Sequence, residues 1–383
     1  MKNYPTKPLG EVAEFLNGRA FKPSEWSERG VPIIRIQNLT NPLAPANRFE
    51  GKIDKRNAVT KGDLLVSWSA TLDAFIWDRE DAVLNQHIFR VVPDFSKVTK
   101  LYLFHAIRSV MDELRSQTHG ATMKHITKGP FERTEIPVPP LPEQAQIVKL
   151  LDEADALRKL RAKADTRTAA LMPALFDEMF GDLESGRWPV SKMVDICEVK
   201  GGKRLPKGEE YSEIPTPYRY IRVTNIQEGQ IDEGALLYLK PETQSLISRY
   251  TVKEGDLVIT IAGTIGTIAP VTKTLSGANL TENAAKLVRR SRDSYDTVFL
   301  SELMQTPFVQ NQIGLRTGQV TIGKLALFRI EQLSLPLPPL PLQKEFAARV
   351  TELRVLEAAQ ASSRARLEEL FQSMLSKAFR GEL

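Results

Sequence analysis

Two long stretches of the chain carry apolar residues at steps of three and four positions, the spacing of one helix face. They cover residues 143–183 and 342–383. Each predicts a helix of about 37 residues, or about 55 Å at 1.5 Å per residue. Gly181 and Gly381 are expected to end the helices. Pro173 is expected to kink or break the first helix near its end.

Short apolar runs bounded by turn residues precede each helical stretch and predict strands. In the first half the strand runs are 31–36, 63–68 and 87–92, followed by a helical pattern over 101–114. In the second half they are 219–223, 256–262 and 284–289, followed by a helical pattern over 297–313. The predicted fold class is therefore α+β, with two similar β-rich domains and two long helices.

The two halves also repeat one another in sequence. The run Ile136–Gln144 (IPVPPLPEQ) returns 199 positions later as Leu335–Gln343 (LPLPPLPLQ). Shorter matches keep the same order along the chain, and their offset grows only from 184 to 200. One duplication with small insertions in the second copy explains this pattern. Two copies related by a pseudo-twofold suit a partner of matching two-part symmetry, of which duplex DNA is the foremost example.

The proline runs predict stiff, extended connectors between the domains and the helices. The predicted division is 1–142 (the first head), 143–183 (a central helix), 184–341 (the second head) and 342–383 (a C-terminal helix). A narrow apolar stripe needs a partner helix, and a twofold would make the two helices an antiparallel coiled coil. The apolar positions assigned to this spacer are Ile147, Leu150, Leu157, Leu171, Leu175, Phe346, Leu353, Leu356, Leu367, Leu370 and Met374.

Composition limits the classes of protein to which the chain can belong. Its 383 residues are 42% hydrophobic and 26% charged, which suits two globular domains with connections. The sequence contains no uninterrupted apolar run of about 18 residues, so no membrane span is expected. Its N-terminus lacks the apolar core of a signal peptide. One cysteine, Cys197, allows no internal disulfide, as expected in a reducing cytosol. A net charge of +5 is compatible with DNA binding without requiring it.

The duplicated motif carries a family resemblance. Pro139–Gln144 reads Pro-Pro-Leu-Pro-Glu-Gln, and the second copy differs only in having Leu342 in place of Glu143. With a long helix after each copy, the chain resembles the specificity subunit of Type I restriction-modification systems over essentially its whole length.

This resemblance implies a subunit without catalysis of its own. Each head would read one half of a bipartite, asymmetric DNA target. The helices would set the gap between the halves and bind two modification subunits, which methylate adenine N6. Restriction or translocase subunits would join that core. No cofactor or metal is expected on this chain, whereas S-adenosylmethionine, ATP and Mg are expected on the partner subunits. The expected location is the cytoplasm.

The sequence does not match the motifs of an adenine methyltransferase, a nucleotide-binding loop or a helical metal site. An adenine methyltransferase needs a polar residue before its Pro-Pro pair, but Val138 and Leu337 stand there. The glycine-rich Gly201–Arg204 segment lacks the hydroxyl residue of a nucleotide-binding loop. The four histidines have no metal-ligand spacing on a helix.

Base reading needs Arg, Lys, Asn, Gln, Ser or Thr, and phosphates accept bonds from any basic group. Candidates in the first head are Arg19, Lys22, Arg35, Gln37, Ser67, Ser69, Thr71, Gln86, Lys124 and His125. Candidates in the second head are Lys203, Arg204, Lys207, Arg222, Thr224, Thr260, Thr264, Arg316 and Lys324. Arg19, Lys203 and Arg204 are assigned to phosphate, and the asparagines Asn38, Asn85 and Asn225 to the fold. Base readers are expected where the copies differ, for example at 67–71 against 260–264.

Two other functions remain open from the sequence. One is a specificity subunit of a Type IIB-like restriction-modification enzyme, which shares nearly every feature above. The other is a scaffold that uses its two heads to bridge proteins and does not bind DNA.

Overall fold

A computed structural model describes residues 4–41, 43–117, 127–227, 229–317 and 323–382. The chain divides into two compact units, which are residues 1–164 with 360–383 and residues 165–359. Each unit thus contains one head together with one end of each helical stretch. The four-part division drawn from the sequence stays a prediction.

Two four-stranded sheets form the first head. The first sheet has the order Ala13–Asn17, Ile88–Pro93, Leu64–Ser67, Asp73–Ile76, and all its neighbours are antiparallel. The second has the order Arg48–Phe49, Val31–Ile34, Ala82–Leu84, Ala58–Val59. Within it, Ile33 and Ile34 pair in parallel with Val83 and Leu84. A two-stranded ribbon pairs Thr6–Pro8 with Glu135–Pro137.

The second head has nearly the same topology, except that the fourth strand of its second sheet lies at the opposite edge. Its first sheet has the order Cys197–Gly201, Ala284–Arg289, Leu257–Thr260, Ile268–Pro270. Its second sheet has the order Tyr211–Ser212, Leu237–Leu239, Arg219–Ile221, Asn279–Leu280, and the last two strands are parallel. Ribbons pair Val190–Lys192 with Ser334–Pro336 and Ile226–Gln227 with Gln230–Ile231. Two heads of mixed helix and strand confirm the predicted α+β class.

Short helices complete the heads. Those of the first head are Leu9–Val12, Ile36–Thr40, Lys100–Gln117 and Lys128–Glu132, with a 3₁₀ turn at Pro23–Glu25. Those of the second head are Met193–Ile196, Pro241–Leu246, Thr297–Gln305, Pro307–Thr317 and Leu327–Glu331, with 3₁₀ turns at Val223–Asn225, Ser248–Tyr250 and Lys273–Leu275. The single helix predicted over 297–313 was wrong. Pro307 divides it, because proline has no N–H to continue the helix and suits a first helical position.

The long helices are Leu141–Ala169, Leu171–Phe180 and Leu340–Phe379. The first stretch breaks at Ala170, as predicted from Pro173, whose ring would clash with the carbonyl of Ala169 four residues earlier. Gly181 follows Phe180 at φ 66° and Gly381 lies just past Phe379 at φ 70°, which confirms both as helix ends. Within the described residues no helix is long and apolar enough to cross a membrane.

In the first unit, the start of one long helix packs beside the end of the other. Leu151 and Ala154 share a buried core with Phe371 and Leu375. Nε of Arg158 donates to Oε2 of Glu368 at 2.8 Å. Its guanidinium also lies 4.3 Å from the ring centroid of Phe371. This is the pairing expected of antiparallel helices.

The second unit contains the complementary ends. Phe180 near the end of the first stretch lies 5.1 Å from Phe346 near the start of Leu340–Phe379, between ring centroids. Phe299 of the head lies 5.0 Å from Phe180 in the same cluster. The long helices therefore belong to the hydrophobic core of each head, and aromatic contacts connect them to it.

The buried face of the long helices differs from the predicted stripe. Ile147 and Phe346 are buried, whereas Leu175, Leu353, Leu367 and Met374 are half-buried. Leu150, Leu157, Leu171, Leu356 and Leu370 are each at least 40% exposed. Leu151 and Phe371, next to Leu150 and Leu370, fill the core instead. The buried face is shifted by one residue along the sequence, because each long helix packs against a head as well as against the other long helix. The spacer role of the predicted residues stays a prediction.

The glutamine of each proline motif connects a head to its long helix. The side chain of Gln144 is fully buried. Its Oε1 accepts from the N–H of Thr99 at 2.8 Å, and its Nε2 donates to the carbonyls of Lys97 and Pro139 at 2.8 and 2.9 Å. The motif thus holds the start of helix Lys100–Gln117 against the proline run.

Gln343 makes the equivalent bonds in the second head. Its Oε1 accepts from the N–H of Asp296 at 2.8 Å and its Nε2 donates to the carbonyl of Pro338 at 2.7 Å. Asp296 is the N-cap residue of the helix Thr297–Gln305. Both copies therefore use this glutamine for the same connection, whereas the residue before it, Glu143 or Leu342, differs.

Candidate nucleic-acid interface

A glycine turn in the first head places a basic residue beside a three-residue loop. The N–H of Gly18 donates to the carbonyl of Ile88 at 3.1 Å, and the N–H of Arg19 donates to that of Leu84 at 2.9 Å. A Cβ on Gly18 would lie 2.2 Å from the carbonyl oxygen of Asn85, so only glycine fits there. The turn thus fixes Arg19 next to the loop of residues 85–87.

The second head contains the same turn. The N–H of Gly202 donates to the carbonyl of Ala284 at 3.0 Å, and the N–H of Lys203 donates to that of Leu280 at 2.8 Å. A Cβ on Gly202 would lie 2.1 Å from the carbonyl oxygen of Thr281. These bonds define equivalent positions in the two heads, so that residues 281–283 correspond to residues 85–87.

A second shared element follows strand Val31–Ile34 in the first head and strand Arg219–Ile221 in the second. Oδ1 of Asn38 accepts from the N–H of Arg35 at 3.0 Å, and Oδ1 of Asn225 accepts from the N–H of Arg222 at 2.9 Å. Each asparagine also donates from Nδ2 to a loop carbonyl, and each is 1% exposed. Both therefore serve the fold, as expected for residues that the two heads share.

In the first head these elements line an open cavity of about 310 Å³. It is lined by Ala20, Phe21, Arg35, Ile36, Gln37, Asn85, Gln86 and His87. Three residues predicted from the sequence, Arg35, Gln37 and Gln86, meet here. Gln37 and Gln86 are exposed, and each amide offers both donors and an acceptor, as contacts with base edges require.

Aromatic rings hold the basic residues around this cavity. The guanidinium of Arg19 lies 4.4 Å from the ring centroid of Phe21, and that of Arg35 lies 4.8 Å from Trp26. Arg19 also forms an ion pair with Glu25. The N–H of Lys22, followed by Arg19, holds the pKa of this carboxyl below its ordinary value. The site therefore presents oriented cations with one carboxylate among them.

The equivalent loop of the second head carries a different chemistry. Glu282 accepts from Nε of Arg204 and from Oγ1 of Thr281, each at 2.9 Å. Burial alone would raise the pKa of Glu282, but these hydrogen bonds hold it below its ordinary value. The carboxylate therefore stays ionised beside an arginine that is 78% exposed.

Other candidates of the second head lie on neighbouring segments. Lys203 lies 5.8 Å from the ring of Tyr250, and Nη2 of Arg222 donates to the carbonyl of Ala235 at 3.2 Å. Thr224 is exposed on the 3₁₀ turn. Nη1 of Arg316 donates to the carbonyl of Gln312 at 2.9 Å, which gives its guanidinium a role in the fold.

Two candidates are buried. Ser67 and Thr260 are both 0% exposed at equivalent strand ends. Oγ of Ser67 donates to the carbonyl of Ser69 at 3.1 Å, and Oγ1 of Thr260 donates to the carbonyl of Thr264. Both hydroxyls are bonded inside the fold, which favours a supporting role over base reading.

The remaining candidates lie nearer the surface. Lys22, Thr71, Lys207, Thr264 and Lys324 are exposed, and Ser69 is half-buried. Lys324 also pairs with Ala262, which places it beside the loop after the strand Leu257–Thr260. Lys124 and His125 lie outside the described residues. Contact of any of these residues with DNA stays a prediction.

Sequence reasoning missed Glu282, Trp26 and His87. The ring of His87 lies 5.3 Å from that of Trp68, and its Nε2 lies 3.2 Å from Nε2 of Gln86. The repeat contained only an approximate signal for Glu282, because the matched segments on either side have offsets of 193 and 199 and place the equivalent of Gln86 between residues 279 and 285. The sequence gives no such signal for Trp26, since its contact with Arg35 depends on the fold of two separate loops.

A family model described as "Type I restriction modification DNA specificity domain" matches residues 1–165 and 186–368. The chain belongs to this family. Among its relatives is the Type I restriction enzyme EcoBI specificity subunit of Escherichia coli, 27% identical over 98% of this chain and 85% of the relative. Another is the MjaVIII specificity subunit of Methanocaldococcus jannaschii, 23% identical over 98% of this chain and 92% of the relative.

Solved structures share the fold of this Type I specificity chain. One, from work on complex assembly and conformational transition of the type I R-M system, has a TM-score of 0.61 and 19% identity, and the match covers all of both chains. The Type I S subunit from M. genitalium has a TM-score of 0.58 and 14% identity, covering 98% of this chain and 96% of that one.

Family membership confirms the predicted function, that of a DNA specificity subunit of a Type I restriction-modification enzyme. It also disfavours the Type IIB-like alternative, because the relatives named above are Type I proteins. Such a subunit acts together with DNA and with other subunits of its system.

Proposed function

We propose that each head reads one half of a bipartite, asymmetric DNA target. One observation carries this proposal: the heads share most of their topology and a set of backbone hydrogen bonds, yet equivalent surface positions carry different side chains. Gln86 stands where the second head has Glu282. A shared frame with different polar groups suits two similar reading tasks on two different sequences.

The long helices would set the gap between the two halves and bind two modification subunits. Exposed leucines on Leu141–Ala169 support the second role. Leu150 and Leu157, seven residues apart on one face, are 40% and 52% exposed, and Leu160 is 61% exposed. Apolar side chains at this spacing suit a partner helix. Through the modification subunits, the chain would also join restriction subunits.

The chain would carry no catalytic site. S-adenosylmethionine would be bound by the modification subunits, and ATP and Mg by the restriction subunits, in the cytoplasm. Val138 and Leu337 support this, since their apolar side chains cannot bond the amino group of a target adenine. The relatives, moreover, are named as specificity subunits.

Duplex binding at several salt concentrations tests DNA recognition itself. Log K should fall linearly with log salt, by about 0.9 for each phosphate contact. The experiment uses the chain in complex with its modification subunits, since these subunits would contribute to the DNA-binding surface. A chain that only bridges proteins would add no duplex affinity to the modification subunits at any salt concentration.

Long-read mapping of methylated adenines tests the bipartite target. A host carrying the chain and its modification subunits should show one motif of two halves separated by unspecified bases. A single continuous motif would contradict the proposal. Methylation or cleavage by the purified chain alone would contradict the absence of catalysis.

A further inference from the structure

A three-residue loop follows strand Ala82–Leu84 in the first head and strand Asn279–Leu280 in the second, with the same length and backbone hydrogen bonding. It joins Leu84 to Ile88 in the first head and Leu280 to Ala284 in the second. The N–H of Asn85 donates to the carbonyl of Ile34 at 3.1 Å, and that of Thr281 donates to Ile221 at 3.0 Å. The middle residue therefore occupies the same backbone position in each head.

The middle residues present different hydrogen-bonding groups. Gln86 offers a carbonyl acceptor and amide donors, and it lines the cavity together with the exposed Gln37. Glu282 offers acceptors only, since its carboxylate is held ionised. Arg204, bonded to Glu282 through Nε, adds donors beside that acceptor.

Each set matches a different base pair in the major groove. Adenine presents an acceptor at N7 and a donor at N6, which a glutamine amide complements with its own donor and acceptor. A C·G pair presents the N4 donor of cytosine and the O6 and N7 acceptors of guanine. A carboxylate complements the first group and an arginine the second, so the Glu282 and Arg204 pair matches both partners of one base pair.

We propose that Gln86 reads an A·T pair in one half-site and that Glu282 with Arg204 reads a C·G pair at the corresponding place in the other. This inference rests on the proposed function, because it assigns letters to the half-sites that the two heads read. Residues 85–87 and 281–283 are then specificity-determining loops. Arg204, assigned from the sequence to phosphate, becomes a base reader.

Reciprocal substitutions test the assignment. The complex of the chain with its modification subunits would select duplexes from a randomised pool, as wild type and as Gln86→Glu and Glu282→Gln. Gln86→Glu should replace an A·T pair by C·G in one half-site and weaken binding of the original duplex by about tenfold or more. Glu282→Gln should shift the preference at one base pair of the other half-site from C·G toward A·T, and leave the first half-site unchanged. A duplex with the matching replacement pair should restore binding of each variant.

A third variant controls for the loss of one negative charge. Glu254→Gln changes an exposed carboxylate of the second head that lies outside this loop, and it should leave both half-sites unchanged. The inference is overturned if either loop variant binds normally with unaltered letters, or if both variants alter the same half-site. It is also overturned if a folded variant loses all duplexes equally, because Gln86 or Glu282 would then support general binding. A wild-type complex that selects no bipartite sequence would instead contradict the proposed function.

Discussion

Gln144 and Gln343 show what a single buried amide does at the junction between a head and its helix. Gln144 satisfies the N–H of Thr99 and the carbonyls of Lys97 and Pro139, all at 2.9 Å or less. Proline-rich backbone has few N–H groups of its own, so its carbonyls need donors from elsewhere. The glutamine side chain supplies such a donor in a place that water does not reach.

Replacement of Gln144 by alanine should therefore destabilise the first head. We expect Gln144→Ala to lower the free energy of unfolding by about 2 kcal/mol or more, because an unsatisfied buried polar group costs about 1–3 kcal/mol. Gln146→Ala, at an exposed position two residues later, should change it by less than about 0.5 kcal/mol. Urea unfolding followed by tryptophan fluorescence measures both. Equal midpoints for the two variants would contradict the role of Gln144.

The sequence shows which residue types are able to contact bases, but not which of those side chains are exposed. Arg35, Gln37 and Gln86 were predicted from residue type and were found around one cavity. Ser67 and Thr260 were chosen on the same grounds but are buried. Their strands are covered on both faces, so no alternation of polar and apolar residues marks which side chains point inward.

At the level of elements, hydrophobic patterns and proline positions predicted the long helices, the helical segments that follow the strand runs, and six inner strands of the four-stranded sheets. They did not predict the short helices or the shorter strands. The strand predicted around 284–289 was found at Ala284–Arg289, and Pro173 predicted the break that lies at Ala170. The buried face of the long helices was not predictable in the same way. It depends on a third surface, the head, which packs on each helix beside its partner and which no pattern within the helix reveals.

Helix Lys100–Gln117 packs on the first long helix through a histidine. Nε2 of His105 lies 2.9 Å from Oδ1 of Asp152, while the ring is 1% exposed. Burial lowers the pKa of His105, although the hydrogen bond with Asp152 acts in the opposite direction. The folded protein therefore resists protonation of this ring, whereas the unfolded chain accepts the proton near the ordinary pKa of about 6.5.

Burial of His105 should make the first unit sensitive to acid. The stability that neutral His105 contributes is present above about pH 7 and is lost as pH falls through about 6.5, at no more than about 1.4 kcal/mol per pH unit. His105→Gln should reduce the loss of unfolding free energy between pH 8 and pH 5.5. Asp152→Asn should increase it, because the carboxylate favours the protonated ring. Identical pH profiles for wild type and both variants would contradict this assignment.

The whole molecule consists of two copies of one design, and the duplication was readable because the scaffold repeats while the surface does not. Gly18 and Gly202 are held by equivalent backbone bonds, as are Asn38 and Asn225. Such residues were matched from sequence because the fold constrains them. The bases read by each head are proposed to depend on divergent residues such as Gln86 and Glu282. For these residues the repeat indicates the position in the head but not the base that is contacted.

Exchange of one head should therefore alter one half of the target. Replacement of residues 187–334 by the equivalent segment of another family member should change one half-site in the methylation map and leave the other half and the gap unchanged. The unaltered first head serves as the internal control. A change in both half-sites, or in the gap alone, would show that the heads do not read independently.

The twin glutamine connections have a further consequence for how such proteins can diversify. Gln144 and Gln343 bond to backbone groups at the starts of the head helices and not to side chains. These hydrogen bonds therefore place few restrictions on the side chains of a head. A foreign head therefore needs a helix that starts at the right place and an apolar surface that packs on the long helices. Where the incoming head has both, recombination between genes at the proline motif would create a new pairing of half-sites in one step.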